Sequence, residues 1–146
     1  MNGSAATDVV GSGAGPYTFS GYATPADGQV DVVLAAGAIV DAAGNAFTGD
    51  SWTYTKDTAA PTVQTVVPDR GATVAADLTS VAVTFSEAVT GVAAADLTVD
   101  GSAATDVVGS GAGPYTFSGY ATPANGQVEV VLAAGAIVDA AGNAFA

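Results

Sequence analysis

The segment that decides the fold is 81-VAVTFSEAV-89, in which Val81, Val83 and Phe85 alternate with smaller residues. A period of two places these three side chains on one face of a β-strand. Similar short runs of β-branched and aromatic residues flank it, separated by turn residues: Thr62 to Val67, Leu97 to Val99, Thr105 to Val108, Tyr115 to Tyr120 and Val128 to Leu132. Short strands at this regular spacing predict an all-β sandwich.

Little helix is expected beside these strands. The alanine-rich stretches Val92 to Ala95 and Ala133 to Ala136 are each long enough for one helical turn, but too short for an independent helix. The glycine-rich segment Gly109 to Pro114 is not followed by the lysine and hydroxyl residue of a phosphate-binding loop. We therefore interpret that segment as a hairpin loop.

The chain contains a long internal repeat. Residues 2–47 recur at 100–145, an offset of 98, and only three of the 46 aligned positions differ: Asn2 against Asp100, Asp27 against Asn125, and Asp31 against Glu129. A period of 98 is the length of one β-sandwich and exceeds the 20 to 50 residues of solenoid repeats. The sequence therefore predicts a tandem array of whole domains.

The two copies of the repeat are predicted to include different strands of the sandwich. A seventh strand, Ser51 to Thr55, follows the first copy and precedes a boundary at Lys56 to Pro61, whereas the second copy stops at Ala146. With the seven strands of the sandwich lettered A to G, residues 1–57 are predicted to supply C to G, and residues 58–146 to supply A to F without G.

An unpaired sheet edge invites another strand to add to it. We expect residues 50–56 to supply the missing last strand of the second domain, either from the same chain folded back or from a neighbouring chain. The linker has six residues and spans about 20 Å at full stretch. This short reach favours exchange between chains, which would build a homo-oligomer or a filament.

The composition excludes several functional classes. The chain has 14 acidic residues, and its only basic residues are Lys56 and Arg70, so the net charge is -12. This charge disfavours nucleic acid and anionic lipid as partners. No cysteine is present, which excludes disulfides and thiolate sites. No apolar run is long enough to insert into a membrane. Polar residues follow Met1, so we expect the signal of an exported parent protein to lie outside this chain.

Four segments in this order resemble the bacterial Ig-like repeat domains of giant secreted adhesins and surface-layer proteins: Asp57 to Thr62, Val83 to Gly91, Ala95 to Val99 and Val138 to Asn143. The resemblance covers essentially the whole chain. It implies an immunoglobulin-like seven-stranded sandwich, an extracellular or cell-surface location, and tandem arrays that project from a cell. Because many members of that family bind calcium at the domain junctions, the resemblance also implies calcium as a possible ligand.

Several acidic and amide side chains are candidate calcium ligands. In an immunoglobulin-like topology, the start of strand A and the B–C and F–G loops lie at the same pole, where five side chains are expected to converge: Asp57, Glu87, Asp96, Asp139 and Asn143. Clustered oxygen donors suit calcium better than softer metals. The alternative is that Asp139 and Asn143 cap a turn and that the others are solvated loop acids.

The sequence favours a non-enzymatic function. Without histidine or cysteine, no pairing of a nucleophile with a base stands out. The leading interpretation is an extracellular spacer or a filament-forming subunit of a bacterial adhesin or fibre. The alternative is an adhesion module that binds a cell-surface carbohydrate or receptor. Trp52 and Tyr54 fit either a buried sheet face or an exposed platform for sugar rings.

Overall fold

The computed structural model describes residues 1–37, 39–134 and 136–146. These residues form two compact units, Met1–Thr58 and Ala59–Ala146. Apart from one 3₁₀ helix, their regular elements are β-strands, which confirms the predicted all-β fold. No helix among the described residues is long and apolar enough to cross a membrane.

The first unit contains two antiparallel hairpins. Strand β1 (Asp8–Val10) pairs with β2 (Thr18–Ser20), and β3 (Gly28–Leu34) pairs with β4 (Asp50–Lys56). In the second hairpin, Trp52 lies opposite Val32 and Tyr54 lies opposite Val30. The predicted last strand of the first copy is therefore β4, and it pairs over its full length with the preceding strand.

The second unit is a β-sandwich. Its described strands are β5 (Val63–Val67), β6 (Ser80–Phe85), β7 (Val89–Thr90), β8 (Leu97–Val99), β9 (Ser102–Ala103), β10 (Asp106–Val108), β11 (Tyr115–Ser118), β12 (Val130–Leu132) and β13 (Val138–Asp139). One sheet has the order β10-β11-β6-β5 and another β12-β8-β9, while β7 pairs with β13. These orders correspond to strands D-E-B-A and F-C of an immunoglobulin-like sandwich.

The core of the second unit forms where β6 pairs with β11. Val81, Val83 and Phe85 alternate with more exposed neighbours, as predicted, and are at most 4% exposed. Phe117 lies opposite Val81, and Tyr115 lies opposite Val83. The rings of Phe85 and Tyr115 pack edge to face with centroids 5.8 Å apart, a favourable geometry for aromatic pairs. This face is buried against Leu97 and Val99 of the second sheet and against Ile137.

The loops follow the predictions only in part. A 3₁₀ helix at Ala94–Asp96 occupies the first alanine-rich stretch. The second stretch, Ala133 to Ala136, includes Gly135, which lies outside the described residues. The glycine-rich segment joins β10 to β11 as a hairpin loop. Within it, Gly109 has a φ of 158°, and an added Cβ there would lie 2.6 Å from the Pro114 carbonyl oxygen, so only glycine fits.

The two copies of the repeat have the same local structure but different burial. β1 and β2 pair in the same register as β10 and β11. However, the exposed fraction is 42% for Phe19 against 0% for Phe117, and 46% for Ile39 against 0% for Ile137. The described first unit contains no counterpart of β6, which extends the sheet of β11, or of β8, whose Leu97 and Val99 lie in the core against that sheet.

Replacing Phe117 by alanine is expected to destabilise the second unit by about 3–5 kcal/mol, because the ring is fully buried and its loss leaves a cavity. Phe19→Ala, the same substitution in the first copy, is the matched control and should leave the unfolding midpoint of the second unit unchanged. Urea unfolding of both variants, followed by far-ultraviolet circular dichroism, measures the difference. Equal losses for the two variants would contradict the assigned core.

Candidate functional sites: an acidic turn and an open sheet edge

Asp139 is the one buried charged residue among the described residues, with 3% of its surface exposed. It ends β13 and lies opposite Val89 of β7. Its Oδ1 accepts the backbone N–H groups of Ala141 and Asn143, both at 2.8 Å. Its Oδ2 accepts the side-chain amide of Asn143 at 2.8 Å. The carboxylate therefore caps the tight turn that follows β13.

Two opposing effects set the pKa of Asp139. Burial removes water from the carboxylate and raises the pKa, while the hydrogen bonds from Asn143, Ala141 and Gly142 lower it. The hydrogen bonds prevail, so the pKa lies below its usual value of 3.8. Asp139 is therefore ionised at neutral pH although it is buried.

The five predicted calcium ligands do not all come together. Glu87, between β6 and β7, offers a carboxylate oxygen within 4.8 Å of one from Asp139. Asn143 is held beside Asp139 by the bonds of the turn. Asp96 is not in that acidic group, and its Oδ2 accepts the backbone N–H of Ala93 at 2.7 Å. Asp57 is half-buried and is the last residue but one of the first unit.

The donor chemistry of the second unit suits calcium. Glu87, Asp139 and the Asn143 side-chain carbonyl would present only oxygen atoms, the donors that calcium prefers. Asp139 Oδ1 already accepts two hydrogen bonds, which leaves Oδ2 as its freer oxygen. The same turn forms at Asp41 and Asn45 in the first copy, with the same bonds. The turn-capping role of Asp139 and Asn143 is therefore visible directly, and calcium stays a prediction.

A cleft of about 830 Å³ opens beside β12 in the second unit. Strand β12 lies at the end of its sheet, bonded to β8 on one side only. Most of the residues that line the cleft are apolar, among them Val63, Val66, Leu78, Val130, Leu132 and Phe145. The alternation of Val128, Val130 and Leu132 predicted a strand here, but it did not show the cleft beside it.

In the first unit, the strand equivalent to β12 is covered by β4. Val30 is 0% exposed there, whereas its counterpart Val128 is half-buried. Val32 is half-buried, whereas its counterpart Val130 is 44% exposed. The side chains at these two positions are therefore better covered where β4 is present.

An ion pair fixes one end of β4. Lys56 Nζ lies 2.7 Å from Asp27 Oδ1, and Asp27 Oδ2 accepts the hydroxyl of Thr58 at 2.7 Å. The hydrogen bonds from Lys56 and Thr58 hold the pKa of Asp27 below its usual value. The counterpart of Asp27 in the second repeat is Asn125, which carries no charge. The comparison of the two repeats in the sequence showed this difference, but it did not show that Asp27 pairs with Lys56.

If calcium binds at Glu87 and Asp139, it should raise the melting temperature of the chain relative to chelator, because binding to the folded state alone stabilises it. Glu87→Gln should reduce that shift, since it removes one charged donor. Differential scanning calorimetry with calcium chloride and with EDTA measures both effects. An unchanged melting temperature would rule out calcium here and leave the turn as the only role of Asp139.

Asp139→Ala is expected to lower the melting temperature of the second unit at pH 7. Because the folded pKa is lowered, the stabilisation from the ionised carboxylate is present above the unfolded pKa, near 3.8, and is lost as the pH falls through the folded value. The difference from the unsubstituted chain should therefore shrink below pH 4. Asp41→Ala, at the exposed counterpart, is the control. A difference that stays constant from pH 7 to pH 3 would refute this role.

Comparison with known proteins agrees with the immunoglobulin-like fold described above. The family model for bacterial Ig-like domains matches residues 57–146, which is more than half of the chain. No curated protein and no solved structure matches the chain. Domains of this family are commonly extracellular or on the cell surface. This chain belongs to the bacterial Ig-like domain family.

Proposed function

We propose that the chain is part of an extracellular structural protein of a bacterial surface, in which Ig-like repeats act as spacers or as subunits of a filament or fibre. The observation that carries the proposal is the recurrence of a 46-residue segment at an offset of 98, with 43 of 46 positions identical. Repetition of this kind adds length to a protein without adding a new chemical site. Family membership is compatible with this role.

The second unit has the features of a module that resists extension. Its core joins both sheets through fully buried residues such as Phe85, Phe117 and Leu97. Strands β5 and β6 pair antiparallel next to the start of the unit, and Pro61 before them is also buried. Force applied to the two ends must disrupt the packing of both sheets at the same time, so we expect unfolding to be cooperative.

A catalytic function is not supported by the side chains that the structure brings together. The buried carboxylate of Asp139 is occupied by hydrogen bonds of its own turn. The buried hydroxyl of Tyr115 donates toward the carbonyls of Val89 and Gly111, both at 3.1 Å. These groups stabilise loops, and domains of this family are generally non-enzymatic.

One observation favours the alternative of a carbohydrate-binding module. Trp52 and Tyr54 are 50% and 41% exposed and lie on the same face of β4, as in an aromatic platform for a sugar ring. Binding of the chain to immobilised glycans that is lost in Trp52→Ala would favour this alternative. Unchanged binding in that variant would show that the aromatic pair does not hold the glycan.

Stretching single chains tethered at both ends tests the spacer function. We expect one abrupt rupture as the second unit, Ala59–Ala146, unfolds. It should add about 30 nm of contour length at about 3.5 Å per residue. The Phe117→Ala variant should rupture at lower force and Phe19→Ala should not, since only the first removes a buried ring. Gradual extension without a rupture would count against a module that resists extension.

A further inference from the structure

Two of the three differences between the repeats exchange asparagine for aspartate directly before a glycine. Asn2-Gly3 corresponds to Asp100-Gly101, and Asn125-Gly126 corresponds to Asp27-Gly28. Asparagine is a chemically labile residue. It is most labile before glycine, because glycine has no side chain to obstruct an attack of its backbone nitrogen on the asparagine amide. The chain therefore has two candidate sites of deamidation, and the aspartate that this reaction produces already stands at the matching position of the other repeat.

We propose that Asn125 is a site of spontaneous deamidation and isomerisation. The backbone nitrogen of Gly126 attacks Cγ of Asn125, a new C–N bond forms, and the bond from Cγ to Nδ2 breaks. Ammonia leaves with the proton of the attacking nitrogen, and a cyclic succinimide remains. Water then opens the ring: cleavage of the new bond yields aspartate, and cleavage of the bond to the main-chain carbonyl carbon yields isoaspartate. Water is the only co-reactant.

The local structure leaves this reaction unhindered at Asn125. Asn125 and Gly126 form a bend outside the strands, and both are exposed. In the described part of the chain, no hydrogen bond holds the Asn125 side chain. Gly126 has a φ of 140°, and a Cβ added there would meet nothing within 4 Å. Asp27, at the same position of the first repeat, is exposed as well, so the exposure is a property of this loop.

The other asparagine that precedes a glycine is restrained. The backbone N–H of Asn2 donates to the carbonyl of Asp31 at 2.9 Å, and Asn2 Oδ1 accepts the backbone N–H of Asp31 at 2.7 Å. The bond to Oδ1 must break before the side chain can turn toward Gly3. Asp100 makes the same two bonds to Glu129, both at 2.8 Å, so both repeats have this restraint. Sequence alone gives Asn2 and Asn125 equal reactivity, and the structure separates them.

The two remaining asparagines of the chain are protected in two ways. Asn45 and Asn143 each precede an alanine, whose methyl group obstructs closure of the ring. Their side-chain amides also donate to the carboxylates of Asp41 and Asp139, both at 2.8 Å. Of the four asparagines, Asn125 is therefore the one for which both the next residue and the local structure favour the reaction.

The fold accommodates the product. The first repeat carries an aspartate, Asp27, at the same position of the same loop. Each event replaces a neutral amide by a carboxylate and adds one negative charge to a chain whose net charge is already -12. Isoaspartate also lengthens the backbone by one methylene, and it does so outside the strands, since β12 begins at Val130. The reaction therefore changes the charge of the loop without unfolding the unit, and it does not depend on the spacer function.

Peptide mapping by mass spectrometry over time tests the site. Trypsin cleaves after Lys56 and Arg70, so Asn2 and Asn125 fall on different peptides, 1–56 and 71–146. The folded chain is incubated in neutral buffer, the same chain in urea is the matched control, and a fresh sample corrects for deamidation during digestion. We expect Asn125 to deamidate several-fold faster than Asn2 in the folded chain and at a similar rate in urea. Equal rates in the folded chain, or a faster reaction at Asn2, would overturn the proposal.

Two variants of the same position complete the test. Asn125→Gln should abolish the deamidation of peptide 71–146, because the longer side chain closes its ring far more slowly. Deamidation that persists in this variant would place the reaction at Asn143 and overturn the proposal. Asn125→Asp reproduces one product and should leave the melting temperature of the chain unchanged, as Asp27 in the first repeat indicates. A marked fall would overturn the conclusion that the fold accommodates the product.

Discussion

The structure depends on whether an apolar strand face is covered by a second layer. Phe117 and Phe19 belong to hairpins of identical sequence and register, yet one ring is fully buried and the other is 42% exposed. The hairpin forms in both cases, because its turn and strand pairing are local. Only non-local contacts convert the hairpin into a sandwich: β6 pairs with β11, and β8 of the other sheet contributes Leu97 and Val99 to the core. This burial supplies most of the stability of such folds.

The strands of the second unit could be predicted from sequence because alternation marks which face is buried. Val81, Val83 and Phe85 show this pattern, and the structure buries all three. The extent of burial could not be predicted, because it depends on residues that are distant in sequence. Trp52 shows this: its period-two placement puts it on the face of Val30 and Val32, yet half of its surface is exposed while Val30 is fully buried.

The acidic loops were harder to predict than the strands. Five side chains were expected to converge, and Glu87, Asp139 and Asn143 lie together in the second unit. Asp96 instead closes the 3₁₀ helix through Ala93, a local bond that competes with any longer-range role. Loop acids have no periodicity, so sequence identifies the donors but not the direction in which each one points. The role of Asp27 was missed for the same reason, since its partner Lys56 is 29 residues away.

The open edge and the acidic surface act in opposite directions on any association between copies. Strand β12 has neither the lysine nor the proline that commonly protects an edge, and Val130 and Val131 are 44% and 46% exposed. The net charge of -12 repels a second copy, and Glu129 adds a carboxylate beside the edge itself. Backbone pairing and apolar burial act only at contact and are not screened by salt, whereas the repulsion between copies weakens as the Debye length shortens from about 10 Å at 0.1 M to about 3 Å at 1 M. The ionic strength around the protein therefore sets how strongly two copies of the chain repel each other at a given distance.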